Sequence, residues 1–189
     1  MKAPREVRSV GVPAHLAERV RVALLADTHG RVDQRVAEVV AGCDLAAHAG
    51  DLGGAQVLGG LQPRAGRVIA VVGNNDTARK WPAIERDLLA LLPEVVELSL
   101  PGGTLVLIHG HQTAAQGRHA RLRARYPGAR AVVYGHSHRL VTDQDAEPWV
   151  LNPGAAGRER TYGGPSCIVL TATAHAWTLE TCRFSVQRR

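Results

Sequence analysis

The chain has 189 residues, enough for one domain whose core needs neither disulfides nor a structural metal. Hydrophobic residues make up 45% and charged residues 21%, which excludes a disordered or fibrous chain; 1 Phe, 3 Trp and 3 Tyr are too few for the stacking platforms of single-strand nucleic-acid binders. The net charge of +6 favours anionic partners such as phosphate esters or nucleic acid, without choosing between them.

Residues 1–20, with Pro4, Pro13 and mixed charge, read as an N-terminal extension, and residues 21–189 as the domain proper. Val22–Ala26 is a continuous apolar run, the mark of a strand buried on both faces, and it stops in Asp27-Thr28-His29-Gly30. Val32, Val36, Val39 and Val40 then recur at helical spacing up to Gly42. The same strand-then-polar-turn pattern returns at Leu45–Ala49 before Gly50-Asp51, and at Val68–Val72 before Gly73-Asn74-Asn75-Asp76, with a short helix predicted around Ala55–Leu61. A helix is predicted over Trp81–Leu92, and a hairpin over Glu94–Leu100 and Thr104–Ile108 that ends in His109-Gly110-His111. A helix bearing Arg118, Arg121 and Arg125 precedes a strand at Ala131–Tyr134, which ends in Gly135-His136-Ser137-His138. The rest reads as β-strands near Leu140–Asp143, Trp149–Leu151, Cys167–Thr173 and Ala176–Phe184, with Asn152-Pro153-Gly154 as a turn.

Alternating buried strands and helices imply an α/β fold whose parallel strands place their functional loops at one rim. The arginines from Arg118 to Arg130 have no acid among them and read as a solvated helix face. Cys43, Cys167 and Cys182 are odd in number and far apart, which suggests neither a disulfide framework nor a thiolate zinc site and fits a reducing cytoplasm. No apolar run approaches the roughly 18 residues of a membrane span, so no membrane partner is expected.

Five strand ends thus carry Asp, Asn or His. One such cluster is what any turn offers, but five in register point to metal ligation. Oxygen donors with several imidazoles and no thiolate suit Mn, Fe, Zn, Co or Ni better than Ca or Mg, and their number suffices for two ions.

In order and spacing, Asp27-Thr28-His29, Gly50-Asp51, Gly73-Asn74-Asn75-Asp76, His109-Gly110-His111 and Gly135-His136-Ser137-His138 resemble the motif series of the calcineurin-like metallophosphoesterases. The likeness covers residues 21 to about 184 and is greatest to the small, capless YfcE-type phosphodiesterases, which share their fold with the retromer subunit Vps29. It implies a four-layer α/β/β/α fold, two mixed β-sheets flanked by helices. It further implies two divalent ions per chain, manganese first, with Asp27, His29 and His138 on one, Asn74, His109 and His136 on the other, and Asp51 bridging. The implied reaction is in-line attack on phosphorus by a bridging hydroxide.

Asn75 departs from the many members that carry a proton-donating His there. An amide can hydrogen-bond a phosphate oxygen but cannot act as an acid. The catalytic expectation therefore falls on Asn75 and on His111 as the remaining acid, and favours diesters with good leaving groups over alkyl monoesters. Arg158 and Arg160 follow the turn at Asn152-Pro153-Gly154 and are candidates for clamping a phosphate, against a solvated loop. Asp76 is expected to orient an imidazole or to cap its turn, and His48 to be a strand residue with a satisfied ring nitrogen. Two alternatives stand beside the phosphodiesterase: a scaffold on the same fold, and a nucleic-acid-processing enzyme, which few aromatics disfavour. A phosphate-ester substrate is the expected partner, and a homo-oligomer is compatible with the sequence.

Overall fold

The computed structural model describes residues 7–186; residues 1–6 and 187–189, the ends of the expected extension and domain, lie outside the described residues. The apolar runs form strands because each is buried on both faces. β2 (Arg19–Leu25) sends Val20, Val22 and Leu24 to one side and Ala23 and Leu25 to the other, all with no exposed surface. β3 (Leu45–His48) is fully buried, and β4 (Arg67–Ala70) extends the parallel set in register, Val22 opposite Leu45 and Leu45 opposite Arg67. β10 (Ser166–Thr173) and β11 (Trp177–Arg183) add antiparallel strands on the other side of β2, giving a five-stranded sheet of order β11-β10-β2-β3-β4.

The second sheet has six strands in the order β1-β5-β6-β7-β9-β8. It comprises β1 (Val7–Gly11), β5 (Val95–Leu100), β6 (Gly103–Ile108), β7 (Ala131–Val133), β8 (Leu140–Asp143) and β9 (Trp149–Pro153). Both sheets are mixed. Residues 7–11, part of the stretch read from sequence as an extension, pair in parallel with β5 as an edge strand. The turn predicted at Asn152-Pro153-Gly154 starts later: Asn152 and Pro153 belong to β9, opposite Val141 and Leu140.

The two sheets face each other across a core of alternate residues that includes Leu24, Leu45, Leu98, Leu107, Leu151 and Leu170. The outer face of the five-stranded sheet is covered by α1 (Gln34–Ala41), α2 (Ala55–Gly60) and α3 (Arg86–Leu91) through Val36, Val40, Val57 and Leu89. The outer face of the six-stranded sheet is covered by α4 (Arg118–Arg125) through Leu122. This is the expected α/β/β/α layering. Asp33 caps α1 by accepting from the Arg35 N–H at 3.1 Å. The helix predicted over Trp81–Leu92 is shorter, because Pro82 ends the preceding segment and a 3-10 turn at Ala83–Glu85 leads into α3.

The arginine helix differs from its expectation. Arg118 is buried, donates to the Thr113 carbonyl at 3.1 and 3.2 Å, and stacks over Tyr134, while Arg123 pairs with Asp143. His119 joins the same network between Asp143 and Tyr134. Among the described residues no helix is long and apolar enough to cross a membrane.

Candidate metal centre

The C-terminal ends of β2, β3, β4, β6 and β7 meet at one rim, and the residues that follow them converge there. Their backbones turn sharply to do so. Asp27, His29, Asp51, His136 and His138 all have positive φ, between 48° and 67°, a region that L-residues with bulky side chains avoid. Close backbone approach fixes the neighbouring turns: at Gly73 a Cβ would fall on the Asp51 carboxylate, and at Gly50 (φ 89°) it would meet the Gly73 backbone at 2.8 Å.

Two donor clusters result. In the first, one ligand atom from each of Asp27, His29, Asp51 and His138 lies within 4.8 Å of every other. His29 Nε2 and His138 Nε2 are 3.3 Å apart, and His138 Nε2 is 3.5 Å from Asp27 Oδ1. In the second, Asn74 Oδ1 lies 3.0 Å from both His109 Nε2 and His136 Nδ1. Asp51 stands between them, Oδ2 3.8 Å from His29 Nε2 and Oδ1 3.4 Å from His109 Nε2. All seven residues expected as ligands are thus brought together.

The donor set fits divalent transition ions. Asp27 Oδ2 and His138 Nδ1 are buried without hydrogen-bond partners among the described residues, a costly arrangement for groups with nothing to bind. Burial pushes the Asp27 carboxyl up to about 7 and, with His29 beside it, pushes His138 down to about 4. Burial also lowers His29 and His136, so these imidazoles keep free lone pairs at neutral pH. His109 differs: burial lowers it, but the Asp51 carboxylate outweighs burial and raises it. Burial likewise works against ionised Asp51, and His109 with the two Asn75 donors holds it well below the usual carboxylate range. His109 Nδ1 lies 2.8 Å from the Ala49 carbonyl, an arrangement that leaves Nε2 facing the cluster.

The other expected residues divide. Asn75 turns its amide onto Asp51, Nδ2 donating to Oδ2 at 2.6 Å and the backbone N–H to Oδ1 at 2.8 Å, so it braces the carboxylate that stands between the clusters. Lys80, which sequence reasoning missed, donates to Asn75 Oδ1 and brings a cation to that side of the rim. Exposed His111 stands beyond the second cluster, its ring centroid 5.4 Å from that of His109 and 6.3 Å from that of His136. Arg160 reaches the first cluster, Nη2 3.0 Å from His29 Nε2, whereas Arg158 Nε lies 3.7 Å from Asp33 Oδ2.

Asp76 orients no imidazole. Its two oxygens accept from Leu52 N, Gly53 N, Gly73 N and Trp81 Nε1 at 2.8 to 3.1 Å, tying the Asp51 turn to the Asn74 turn. His48 is the satisfied strand histidine expected: Nδ1 accepts from Gly50 N at 3.2 Å and Nε2 lies 3.0 Å from Thr28 Oγ1. Asn152, also missed, holds the turn carrying His136 and His138 by donating to the Gly135 carbonyl at 2.8 Å and to Ser137 Oγ at 3.0 Å.

Two facing mixed sheets, with Asp, Asn and His gathered where their strands end, define a metallophosphoesterase-type scaffold. The family model described as the calcineurin-like phosphoesterase superfamily domain matches residues 20–175, and the chain belongs to that superfamily. No curated protein matches it significantly. Among solved structures it is similar to a predicted phosphoesterase from Streptococcus pneumoniae, with 19% identity, a TM-score of 0.64, and coverage of 89% of this chain and 93% of that one. It is similar to an archaeal phosphodiesterase at 19% identity and a TM-score of 0.62, covering 86% and 99%. Vps29 of Entamoeba histolytica, solved in complex with zinc, aligns at 18% identity and a TM-score of 0.60, covering 86% and 98%.

Proposed function

We propose that this chain is a metal-dependent phosphodiesterase that holds two divalent ions per molecule, manganese first. Asp27, His29 and His138 would hold one ion, Asn74, His109 and His136 the other, and Asp51 both. The observation that carries the reading is the orientation of Asp51, one oxygen toward each cluster. Bound there, two divalent ions would neutralise phosphoryl charge and activate a water for in-line attack on phosphorus. The remaining work belongs to side chains. Asn75 fixes the Asp51 carboxylate at both oxygens, Oδ1 through its backbone N–H and Oδ2 through its amide. Lys80 beside Asn75 and Arg160 beside His29 bring positive charge to the rim, where an anionic ester would be oriented. His111, free of hydrogen-bond partners among the described residues, is the group that can hand a proton to a departing alcohol.

The scaffold alternative is supported by the Vps29 neighbours, one of them solved with zinc, so metal binding alone does not separate the two readings and hydrolysis of an ester does. The nucleic-acid alternative loses support because Arg118 and Arg123 are spent inside the protein. Elemental analysis of manganese-saturated protein, with hydrolysis of bis(p-nitrophenyl) phosphate, tests the proposal. Two ions per chain are expected, with both sites weakened in Asp51→Asn. One ion at most, or undiminished occupancy in Asp51→Asn, would overturn it.

A further inference from the structure

Beside the first cluster lies a cleft of about 500 Å3, well within the range of small-molecule sites. Thr28 and His29 line it, and since His29 belongs to the first cluster the cleft adjoins that cluster. Its outer walls come from the start of α1 and from the loop after β9, and they are charged. Arg31, Arg35 and Arg158 line it against the carboxyls of Asp33 and Glu159, with Pro165 and Val186 as its apolar lining residues.

Three arginines against Asp33 and Glu159 leave the lining a net positive charge of one, and the positions of the arginines decide where it is offered. Buried Asp33 is occupied by Arg35 in a fork, Nε at 2.9 Å from Oδ1 and Nη2 at 3.1 Å from Oδ2, besides capping α1. Arg158 only leans on the same carboxylate at 3.7 Å and is substantially exposed. Arg31 is exposed and forms no ion pair among the described residues. Arg160, next in the chain to the lining residue Glu159, rests on the His29 nitrogen rather than on an acid. A guanidinium and a divalent cation cannot share that lone pair, so a loaded centre leaves Arg160 a free donor as well.

We infer that this cleft receives one substituent of the ester and that the substituent carries a phosphate of its own, as in a phosphorylated nucleoside. Its size suits such a group, the exposed guanidinium groups of Arg31 and Arg158 suit a second anion, and Pro165 and Val186 offer apolar surface to the nucleoside that carries it. The inference rests on the phosphodiesterase reading and adds a substrate class to it.

Two measurements on the manganese-loaded full chain test it. In calorimetry, thymidine 3′,5′-bisphosphate binds at least about tenfold more tightly than thymidine 5′-monophosphate, and Arg31→Glu or Arg158→Gln reduces that preference to about threefold or less. In kinetics, the p-nitrophenyl ester of thymidine 5′-phosphate is compared with the same ester bearing a 3′-phosphate, and the ratio of the two kcat/KM values falls in the same variants. Equal binding of the two nucleotides by the wild type, or a preference that neither substitution touches, overturns the cleft assignment even if both esters are hydrolysed. An arginine-dependent preference without hydrolysis of either ester upholds the cleft and overturns the phosphodiesterase reading.

Discussion

Asp76 offers a test of how the centre is held together. Its carboxylate accepts four hydrogen bonds, from Leu52 N, Gly53 N, Gly73 N and Trp81 Nε1. Leu52, Gly73 and Trp81 are buried, whereas Gly53 is half-buried and water can replace its partner. Asp76→Ala therefore strands three buried donors, at about 1 kcal/mol or more for each, and about 3 kcal/mol or more in all. That is a large part of the roughly 5–15 kcal/mol that stabilises a domain. Asp76→Asn costs about 2 kcal/mol, because either amide orientation turns an NH2 group toward two donors. Urea unfolding followed by circular dichroism, with and without manganese, reads the loss. Because Asp76 joins the turn of Asp51 to that of Asn74, both variants also bind the two ions more weakly. A loss below about 1 kcal/mol for Asp76→Ala, with an unchanged denaturant slope, would refute the reasoning.

With manganese, bis(p-nitrophenyl) phosphate should be cleaved with a higher kcat/KM than unactivated alkyl monoesters, and the reverse order would remove the diesterase assignment. Across esters of graded leaving-group pKa, His111→Ala should lose up to about 10²–10⁴-fold on poor leaving groups and much less on p-nitrophenolate; equal losses would make His111 a binding group instead. The Arg123 hydrogen bond, aided by His119, holds the Asp143 carboxyl down to about 2 from an ordinary 3.8. The stability this contributes is present above about 3.8 and disappears as the pH falls toward 2. Between pH 5 and 2.5 the wild type should therefore lose more of its urea midpoint than Asp143→Asn, and parallel curves would count against the ion pair. Burial raises Cys43 to about 11 and raises Cys167 and Cys182 as well, so native protein at pH 7.5 should react slowly with a disulfide reagent and release three thiols only in urea. A fast reaction of Cys43 or Cys167 in the native state would contradict their burial.

The sheets and the site were legible for one reason. Strands buried on both faces must be apolar along their whole length, so Val22–Ala26 or Val68–Val72 stand out, and each ends abruptly in polar ligands. β1 gave no such signal, because Val7–Gly11 is a largely exposed edge strand of mixed polarity. Contacts between distant segments were equally silent. Arg160 meets His29 across 131 positions, and nothing in Arg158-Glu159-Arg160 says which arginine will point inward. Lys80 lies between the polar turn ending at Asp76 and the helix predicted from Trp81, and only the folded chain brings it back onto Asn75. Arg118 carried the pattern of a solvated face and is buried, stacked over Tyr134 from the turn after β7. Asn152 sat in what reads as a turn, and its role depends on a strand neighbour that local sequence does not name.

The left-handed backbone at Asp27, His29, Asp51, His136 and His138 sets the centre against the thermodynamic interest of the rest of the chain. Each such residue costs about 1 kcal/mol that glycine would not, so together they hold back an amount comparable with the margin by which a domain stays folded. Glycine would relieve that strain, but at buried Asp27, Asp51 and His138 it would also empty packed volume and, at Asp27 and Asp51, strand the donors of His136 and Asn75, so the turns are held by the side chains that follow them. A library of this chain screened for heat resistance alone is blind to which of these turns still presents its donors, so a search for a sturdier variant has to read metal content in the same round.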